Sequence, residues 1–504
     1  MRIARTLLAC AVLAACTYRT PSEPPAPLPE PPPPPPYEPP PPPPDGSIVE
    51  LPDIEALETR PAISGGSLAV TPAGLVVAGD PDRASIWVLD PGTRTVRGRI
   101  ALDADDEPGR MAVDSTGRVH VVLRRSGGVL TIDPETAAVV EGRAVCRTPR
   151  GIAWDAARER LWVACASGEL LTLPPSRSPV ETVFLLEDDL RDVLVGADRL
   201  YVSRFRSAEL LEVDPDGGDV LARRQAPEQT REILMRPEPT TAIAQPNTAW
   251  RIRFDASGDV VMLHQTSIST PIEVEMSGYS GDECGGGVVG PAISVFSTTT
   301  EDVFGGSTVS NAVLAVDLAV DDASSRYHVA AAATDALFLG FGMGAISVPT
   351  ETVGERCLFG EENFGLRSRG VGESARAVEI MPDGRMVALF ADPLRVVVDG
   401  TVEFQGRPHQ VERGFELFHT ATPSMTACAS CHPEGGEDGH VWDFVGTGVR
   451  RTQTLLGGLL ETAPFHWAGD QADMSAIMLG GFMQRMGGSS TPEEADLIGA
   501  WLDA

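Results

Sequence analysis

The chain has 504 residues, enough for more than one domain, and a net charge of −31 from 71 Asp+Glu against 40 Lys+Arg, all of which are arginine. This charge favours solubility and argues against nucleic acid or an anionic lipid surface as a partner. A protein partner with a basic face would instead be attracted.

Residues 1–15 have the pattern of a signal peptide. Arg2 and Arg5 form a positive region, and residues 7–15 are an apolar run too short to span a membrane. The run ends in Leu-Ala-Ala-Cys16, which resembles the lipobox of bacterial lipoproteins. The resemblance implies cleavage before Cys16 and lipidation of its thiol, and Thr17 favours the outer membrane, facing the periplasm or the cell surface. The alternative is an ordinary signal peptide with an incidental Cys16.

Residues 16–47 follow as a second segment, which is mostly proline between Pro21 and Pro44. Such a composition cannot pack a core and predicts a stiff polyproline II spacer. At about 3.1 Å per residue it would reach on the order of 70 Å from its anchor. We therefore expect a tether without chemistry, and a membrane contact through the lipid only.

Residues 48–405 repeat a short phrase. Ile86-Trp-Val-Leu-Asp-Pro91 recurs up to Pro134 and Pro215, with a degraded copy ending at Pro175, so that the prolines are 43, 41 and 40 residues apart. Strand-like runs between Asp/Gly turns at roughly this period are typical of propeller blades. We predict an all-β propeller with seven blades. Its first four blades resemble the YVTN-like or quinoprotein-like propellers of exported bacterial proteins.

The propeller carries few residues that suggest chemistry. His120, His264 and His328 each lie in or beside a strand-like run, which favours a structural histidine over a ligand. Clustered carboxylates, a phosphate loop and a nucleophile motif are all missing from its sequence. We predict a rigid docking or ligand-binding platform. A site built at the central channel from single residues of many blades stays open as an alternative.

Cys428-Ala-Ser-Cys431-His432 has the spacing of a c-type haem attachment site. In such a site two thiols bond to the haem vinyl groups and the next imidazole becomes the proximal iron ligand. A zinc site would need a second Cys/His pair, and a redox dithiol would need a thioredoxin-like context; the flanking sequence has neither. The motif predicts one covalent haem c with His432 as an iron ligand.

Of the eight cysteines, Cys10 lies in the signal peptide, Cys16 is the expected lipidation site, and two belong to the haem motif, which leaves four. They are an even number in an oxidising compartment, and four cysteines allow three disulfide pairings. We favour Cys146 with Cys165, because a hairpin turn would bring their segments together. Cys284 with Cys357 would then join two loops.

Residues 406–504 read as helical. Residues 410–418 predict a helix before the haem motif, and a final helix is expected after Thr491, which has the N-cap pattern with Glu three residues on. The apolar residues Ala495, Leu497, Ile498, Trp501 and Leu502 are expected on one face of the final helix. We predict that Gly414 and Phe418 pack against Leu497 and Trp501.

These residues resemble an all-α class I-type cytochrome c domain. More narrowly, they resemble the C-terminal haem domain of the bacterial di-haem cytochrome c peroxidase and MauG families. The resemblance is carried by the haem motif and by Gly414-x-x-Leu-Phe, Arg451-Thr-x-x-Leu and Pro464-Phe-His-Trp-x-Gly. Those peroxidases use two haems, whereas this chain has one motif and a propeller in place of the other domain. Peroxidase activity would therefore need an external partner or a second cofactor.

The resemblance also implies a sixth iron ligand, a methionine next to glycine between the Phe-His loop and the last helix. Met486 matches best and Met483 is the second choice; the remaining alternative is an open or His-ligated site. His466 is expected to hydrogen-bond near the haem edge, with acid/base work on peroxide as its other role. Arg451 matches a family position that pairs with a haem propionate, and a plain surface role is the alternative.

Five more residues after the motif complete these expectations. Arg450 and Arg485 are further candidates to pair with the haem propionates, and a plain surface role is their alternative. Met474 and Met478, four residues apart on an expected helix, should pack in the core. His440 should be a solvated loop histidine.

These features predict an extracytoplasmic monohaem cytochrome c lipoprotein that carries electrons to or from a redox partner protein. Two alternatives remain. One is a peroxidase-like haem oxidoreductase. The other is a surface binding protein in which the propeller captures a ligand and the haem is accessory.

Overall fold

The computed structural model describes residues 48–174, 180–234, 240–275, 277–310, 312–335, 344–359, 361–362, 374–408 and 412–504. The expected signal peptide and tether, and with them Cys16, lie outside the described residues. None of the helices in these ranges is long and apolar enough to cross a membrane.

Seven sheets of four or more strands make the larger part of the described chain a seven-bladed β-propeller. Blades 1 to 4 are regular, and each has four antiparallel strands in sequence order. Their bounds are, for blade 1, Leu68–Val70, Val76–Asp80, Ser85–Asp90 and Thr95–Ala101; for blade 2, Pro108–Val113, Val119–Leu123, Gly128–Asp133 and Ala138–Ala144; for blade 3, Pro149–Asp155, Arg160–Cys165, Glu169–Leu173 and Thr182–Leu185; and for blade 4, Leu190–Val195, Leu200–Arg204, Glu209–Val213 and Val220–Gln225.

Blades 5 to 7 are less regular. Blade 5 has six strands, because Gln229–Ile233 and Cys357–Leu358 add to its two edges. Their bounds are, for blade 5, Gln229–Ile233, Thr240–Phe254, Val260–Ile268, Val289–Phe296, Val303–Val309 and Cys357–Leu358; for blade 6, Ala315–Asp321, Arg326–Ala331, Gly344–Pro349 and Glu361–Glu362; and for blade 7, Ser374–Ile380, Met386–Ala391, Arg395–Val398 and Thr401–Gln405.

The ring of blades closes on itself. The innermost strand of blade 1, Leu68–Val70, contacts those of blades 2 and 7, Pro108–Val113 and Ser374–Ile380. On the outside, Val49–Glu50 pairs in parallel with Thr401–Gln405, so the start of the described chain adds a fifth strand to blade 7. Innermost strands of neighbouring blades therefore surround one central channel.

Local sequence explains the regular blades. Gly74, Gly117, Gly258 and Gly384 each end the turn after an innermost strand with φ of 83°, 85°, 79° and 85°, a region that favours glycine. The repeated phrase ending in Asp-Pro forms the third strand of blades 1 and 2, where Pro91 and Pro134 follow the last strand residue. The repeats that marked the blades are therefore turn and strand-end signals.

The propeller histidines are structural, as predicted. His120 is buried with Nε2 3.1 Å from Oδ2 of Asp114. His264 and His328 are also buried, and their ring nitrogens lie 2.9 Å from Oγ of Ser294 and 2.6 Å from Oγ of Ser347, respectively. Burial lowers the pKa of His264 to about 4, so this ring is neutral at pH 7.

Two disulfides lie in the propeller. Cys146, in the connection between blades 2 and 3, is bonded to Cys165 of blade 3, and Cys284 is bonded to Cys357 on blade 5. These are the two pairs that the sequence favoured. The second disulfide joins the Gly-rich insertion of blade 5, which lies between the strands Val260–Ile268 and Val289–Phe296, to the edge strand Cys357–Leu358 of the same blade.

Residues 412–504 contain five short helices: α1 (Arg413–His419), α2 (Cys428–Cys431), α3 (Met474–Ile477), α4 (Met483–Arg485) and α5 (Pro492–Asp503). A π-helical turn, Met478–Phe482, joins α3 to α4. The same region also has a β-hairpin, Val441–Phe444 with Gly448–Arg451, and Thr420–Ala421 pairs with Thr334–Asp335 of the propeller part. The expected distinct all-α domain is therefore not evident, because this region contains strands and pairs with the propeller.

The predicted crossing of α1 and α5 is confirmed. A Cβ at Gly414 would lie 2.2 Å from the Leu497 carbonyl oxygen, and the rings of Phe418 and Trp501 are 4.9 Å apart. Thr491 and Glu494 form the predicted capping box. The expectation that the Leu497 side chain packs in this crossing was wrong. The Leu497 carbonyl group lies against Gly414, and the residue is 44% exposed.

Candidate functional site

The haem motif lies on α2 and the turn that follows it. Ser430 stabilises the start of α2, because its Oγ accepts a hydrogen bond from the Ala427 N–H at 3.1 Å. Cys428 and Cys431 are not in a disulfide. Burial raises the pKa of the Cys428 thiol to about 11, and burial also raises the pKa of the Cys431 thiol well above its usual value. Two neutral, unbonded thiols are thus presented by one helical turn.

His432 is held with one ring nitrogen occupied. Its Nδ1–H donates to the carbonyl oxygen of Gly436 at 3.1 Å, which leaves the lone pair on Nε2. Burial lowers the pKa of this imidazole, and the carbonyls of Gly436 and Gln453 act in the opposite direction. A neutral imidazole with a fixed tautomer is the form that binds a metal.

A cavity of about 340 Å³ opens beside the motif, and Cys428, Cys431 and His432 all line it. Its walls are mainly apolar and aromatic. One wall comes from helical residues, namely Phe418, Met474, Met478, Ile498 and Leu502. This size and lining are typical of small-molecule and cofactor sites.

The propeller supplies the facing wall. Tyr279 and Val288, from the insertion of blade 5, line the cavity. Gln265, also on blade 5, donates its side-chain amide to the Ser430 carbonyl at 2.7 Å, inside the haem motif. Because these three residues come from blade 5, the site is formed by both the propeller and residues 412–504. The sequence predicted none of the three.

The two methionines proposed as sixth ligand lie in different places. Met486 lines the cavity and is 5% exposed, packed in the apolar cluster that contains Tyr279 and Trp442. Met483 is not among the lining residues, and its Cε lies 3.0 Å from where a Cβ of Gly488 would be. Of these two methionines, Met486, the first choice, is the one that shares the cavity with Cys428, Cys431 and His432.

Met474 and Met478 are buried in the core as expected, and both also line the cavity. Both belong to the same hydrophobic cluster as Ile498 and Trp501 of α5. Met474 packs closely against α5, since a Cβ at Gly499 would lie 2.8 Å from its Cγ. Their core role is confirmed, and the contact with the cavity is additional.

His466 lines the cavity near its mouth, where its side chain is 27% exposed. Its Nδ1 lies 2.9 Å from Oδ1 of Asp470. The neighbouring Trp467 donates its indole N–H to the Arg451 carbonyl at 2.7 Å, which fixes this loop to the β-hairpin. An imidazole oriented by a carboxylate is suited to hydrogen bonding or proton transfer at the cavity.

Three arginines bring positive charge to the cavity. Arg450, Arg451 and Arg485 all line it. Arg451 is about half exposed and donates to Oε1 of Glu437 at 2.6 Å. Arginines can bind the carboxylates of a ligand at the edge of an apolar cavity through paired hydrogen bonds.

The expectation for His440 was wrong. It is only 6% exposed, and its Nε2 lies 3.1 Å from the Ile268 carbonyl of blade 5. The preceding Asp438 is fully buried, receives the His440 N–H at 2.9 Å and the Asn247 amide at 3.4 Å, and burial raises its pKa to about 7. The polar composition suggested a solvated loop, but blade 5 covers it.

Glu434, two residues after His432, is a further residue that the sequence did not indicate. Its carboxylate is buried among arginines of the propeller. Although burial alone would raise the pKa of this carboxyl, Arg124, Arg150 and Arg191 hold it well below its usual range. The local sequence His-Pro-Glu-Gly-Gly does not predict these contacts, because the partner arginines are far away in sequence.

In the described part of the chain, no three His, Cys, Asp or Glu side chains come together in a way that would hold a metal ion.

Comparison with known proteins concerns the propeller. No protein-family model matches the chain. The uncharacterized protein YncE of Escherichia coli K12 is 25% identical over 183 residues, which are 32% of this chain and 50% of YncE. YncE of Salmonella typhi is 23% identical over 169 residues, 30% of this chain and 47% of that protein. The chain thus spans about half the length of the curated relatives it matches.

The structure of hydrazine synthase from Kuenenia stuttgartiensis matches with a TM-score of 0.50 and 14% identity, over 69% of this chain and 99% of that one. The larger part of this chain is a seven-bladed β-propeller. At this identity the likeness shows the fold of the propeller alone, so the chemistry of the cavity rests on its own residues.

Proposed function

We propose that the chain holds one covalently attached haem c in the cavity beside α2 and carries electrons as an extracytoplasmic cytochrome. The observation that carries this proposal is that both motif thiols and His432 line one apolar cavity of about 340 Å³. The residues present fit a haem. Two unbonded thiols lie on one helical turn, an imidazole has its tautomer fixed by Gly436, and arginines stand at the cavity.

When bound, the haem supplies an iron centre that takes up and releases one electron. The chain's own residues do the rest. Cys428 and Cys431 attach the group, and His432 ligates through Nε2. The aromatic and aliphatic walls exclude water, which favours the less charged, reduced state of the centre.

The assignment of an electron carrier rests on a second, buried ligand. Met486 lies in the cavity among apolar side chains, where its thioether would complete the coordination and leave no open position. Arg450, Arg451 and Arg485 are the residues that would bind the propionates.

An absorption spectrum of the haem-matured chain tests this function. We expect a low-spin haem with a sulfur-to-iron charge-transfer band that changes with neither carbon monoxide nor peroxide. A high-spin haem that binds carbon monoxide and reacts with peroxide would contradict the electron-carrier assignment.

A peroxidase-like oxidoreductase is the second candidate, and the pair of His466 with Asp470 favours it. The imidazole lines the cavity and is oriented by a carboxylate at 2.9 Å, the arrangement that a proton-transferring residue needs. Under this function, His466→Gln would lower the rate of peroxide consumption at unchanged haem content. Asp443→Asn, on the β-hairpin, is the control and should leave that rate unchanged.

The proposed location is the outer membrane, with lipidated Cys16 as the anchor and the rest of the chain facing the periplasm or the cell surface. Cys16→Ala should release the matured chain from the membrane fraction. The redox partner is proposed to have a basic face, because the net charge of −31 attracts it. Its association rate should fall steeply as salt is raised, and a rate independent of salt would contradict this.

A further inference from the structure

The side chain of Glu434 leaves the haem-binding turn and enters the mouth of the propeller's central channel. The backbone of Glu434 has φ 56° and ψ 27°, a left-handed conformation that residues other than glycine rarely adopt. Gly435 follows with φ 75°. This backbone costs free energy, so the contacts made by the side chain must offset it.

Those contacts come from several separate parts of the propeller. Ser64, ahead of blade 1, donates to Oε1 at 2.5 Å, and Nη1 of Arg191 lies 2.6 Å from the same oxygen. Nη2 of Arg124 is 3.2 Å from Oε1, and Nη2 of Arg150 is 3.0 Å from Oε2. Both carboxylate oxygens are therefore held by charge-assisted hydrogen bonds or ion pairs.

The arginines are themselves fixed. Arg150 and Arg191 are each the second residue of an innermost strand, Pro149–Asp155 and Leu190–Val195, so they lie at the channel mouth. Arg191 also donates to the Ser64 carbonyl at 2.9 Å, and its guanidinium lies 4.2 Å from the ring centre of Phe205. The cage formed by Ser64, Arg124, Arg150 and Arg191 is a rigid receptor for one carboxylate.

The turn transmits this fixation to the axial histidine. The N–H of Gly435 donates to the His432 carbonyl at 3.1 Å, and the N–H of Gly436 donates to the Pro433 carbonyl at 3.0 Å. The carbonyl of Gly436 then receives Nδ1–H of His432 at 3.1 Å. The residue anchored in the cage lies at the centre of this five-residue turn.

We propose that Glu434 is a positioning residue through which blades 2 to 4 fix the hydrogen bond that orients His432. The propeller is thereby a structural part of the haem site, in addition to any docking role. This inference rests on the proposed function, since it assumes that His432 is the haem ligand.

Two variants test the positioning role in the full, haem-matured chain. Glu434→Gln keeps the size of the side chain and one acceptor oxygen, removes the charge and replaces the other oxygen with an amide donor, whereas Glu434→Ala removes all side-chain contacts. Glu461→Gln is the control, because Glu461 is exposed in the same part of the chain. Haem content per chain, the ferric electron paramagnetic resonance spectrum and the midpoint potential are measured for each.

We expect both Glu434 variants to shift the midpoint potential to more positive values. Removing a negative charge near the haem favours the reduced state, and a looser Nδ1–H bond makes the imidazole a weaker donor to the iron. Glu434→Ala should also broaden or move the g-values, which report the ring orientation. The control should match the wild type.

Hydrogen exchange at the amides of Gly435 and Gly436 provides a readout that needs no haem. We expect faster exchange in Glu434→Ala than in the wild type, with the propeller strands unchanged. Haem-loaded variants with wild-type spectra, potential and exchange would overturn the positioning role and leave the proposed function intact. A wild-type chain without bound haem would instead overturn the proposed function, and this inference with it.

Discussion

Gln265 of blade 5 and Ser430 of the haem motif are joined by a hydrogen bond of 2.7 Å between residues 165 positions apart in sequence. The Gln265 side chain is buried and also accepts the indole N–H of Trp250 at 2.8 Å. One amide thus connects an innermost strand of the propeller with the turn that carries the motif cysteines. The propeller therefore contributes directly to holding residues 428–432 in place.

Gln265→Leu should therefore destabilise the chain. The substitution leaves the Ser430 carbonyl and the Trp250 N–H unpaired in the interior, which costs about 1–3 kcal/mol for each group. Chemical denaturation of the full chain measures the change. Gln245→Leu is the matched control on the same blade, because Gln245 is exposed, and it should change the unfolding free energy by less than about 0.5 kcal/mol. Equal effects of the two substitutions would contradict this account.

Gly414→Ala tests the crossing of α1 and α5. The added methyl group would lie 2.2 Å from the Leu497 carbonyl oxygen and 2.8 Å from Cβ of Trp501, so the helices must separate. We expect a loss of about 1–3 kcal/mol in unfolding free energy. Gly481→Ala is the control, since a Cβ there meets nothing within 4 Å. It should be neutral or slightly stabilising, and an equal loss in both variants would argue against the tight crossing.

His419 is a buried histidine that the sequence analysis did not single out. Its Nδ1–H donates to the Phe415 carbonyl at 2.8 Å, and its Nε2 accepts the Ile63 N–H at 3.4 Å. Both ring nitrogens are thus committed to the neutral form. The ring joins α1 to the segment that leads into blade 1.

The unfolding free energy should depend on pH through His419. Burial lowers the folded-state pKa of His419 to about 3, and the charges of Arg376 and Arg60 lower it too. The hydrogen bond to the Phe415 carbonyl and the charge of Asp82 act in the opposite direction. The unfolded chain therefore binds a proton below about pH 6.5 that the folded chain excludes. Stability from this group is complete above about pH 6.5 and is lost by up to about 1.4 kcal/mol per pH unit as the pH falls towards 3.

His419→Gln does not titrate, so its unfolding free energy should fall less steeply between pH 6.5 and pH 4 than that of the wild type. Denaturation curves at half-unit pH intervals measure the difference in slope. Identical slopes in the two proteins would show that His419 is not the group responsible.

The two methionines give opposite predictions for the sixth ligand. Met486→Ala should abolish the sulfur-to-iron charge-transfer band and lower the midpoint potential, because a thioether favours the reduced state. Met483→Ala should leave both unchanged, because Met483 does not line the cavity. Loss of the band in the Met483 variant alone would reverse the assignment.

Features that depend on neighbouring residues were predictable from the sequence. The Asp-Pro strand ends, the turn glycines such as Gly74 and the capping box of Thr491 with Glu494 each need only a few consecutive residues. The period of these repeats and the length of residues 48–405 together predicted seven blades. The cysteine and histidine spacing of α2 identified the candidate site for the same reason.

Contacts between distant residues were not predictable in this way. Glu434 and Ser64 are 370 positions apart, and Gln265 is 165 positions from Ser430. A charged residue in a Gly-rich turn has the composition of a solvated loop, and only the closed propeller brings an arginine cage around it. The same reason explains why His440 was expected in solvent and is instead buried under blade 5.

The proposed cytochrome requires that Cys428 and Cys431 bond covalently to one haem. The most direct test is to mature the full chain in a host with a cytochrome c maturation system, denature it, extract it with acidified acetone and measure its mass. The account predicts one haem retained per chain, and no retained haem in the Cys428→Ser, Cys431→Ser double variant. A wild-type chain that loses all its haem on extraction, or a double variant that keeps it, would contradict the account.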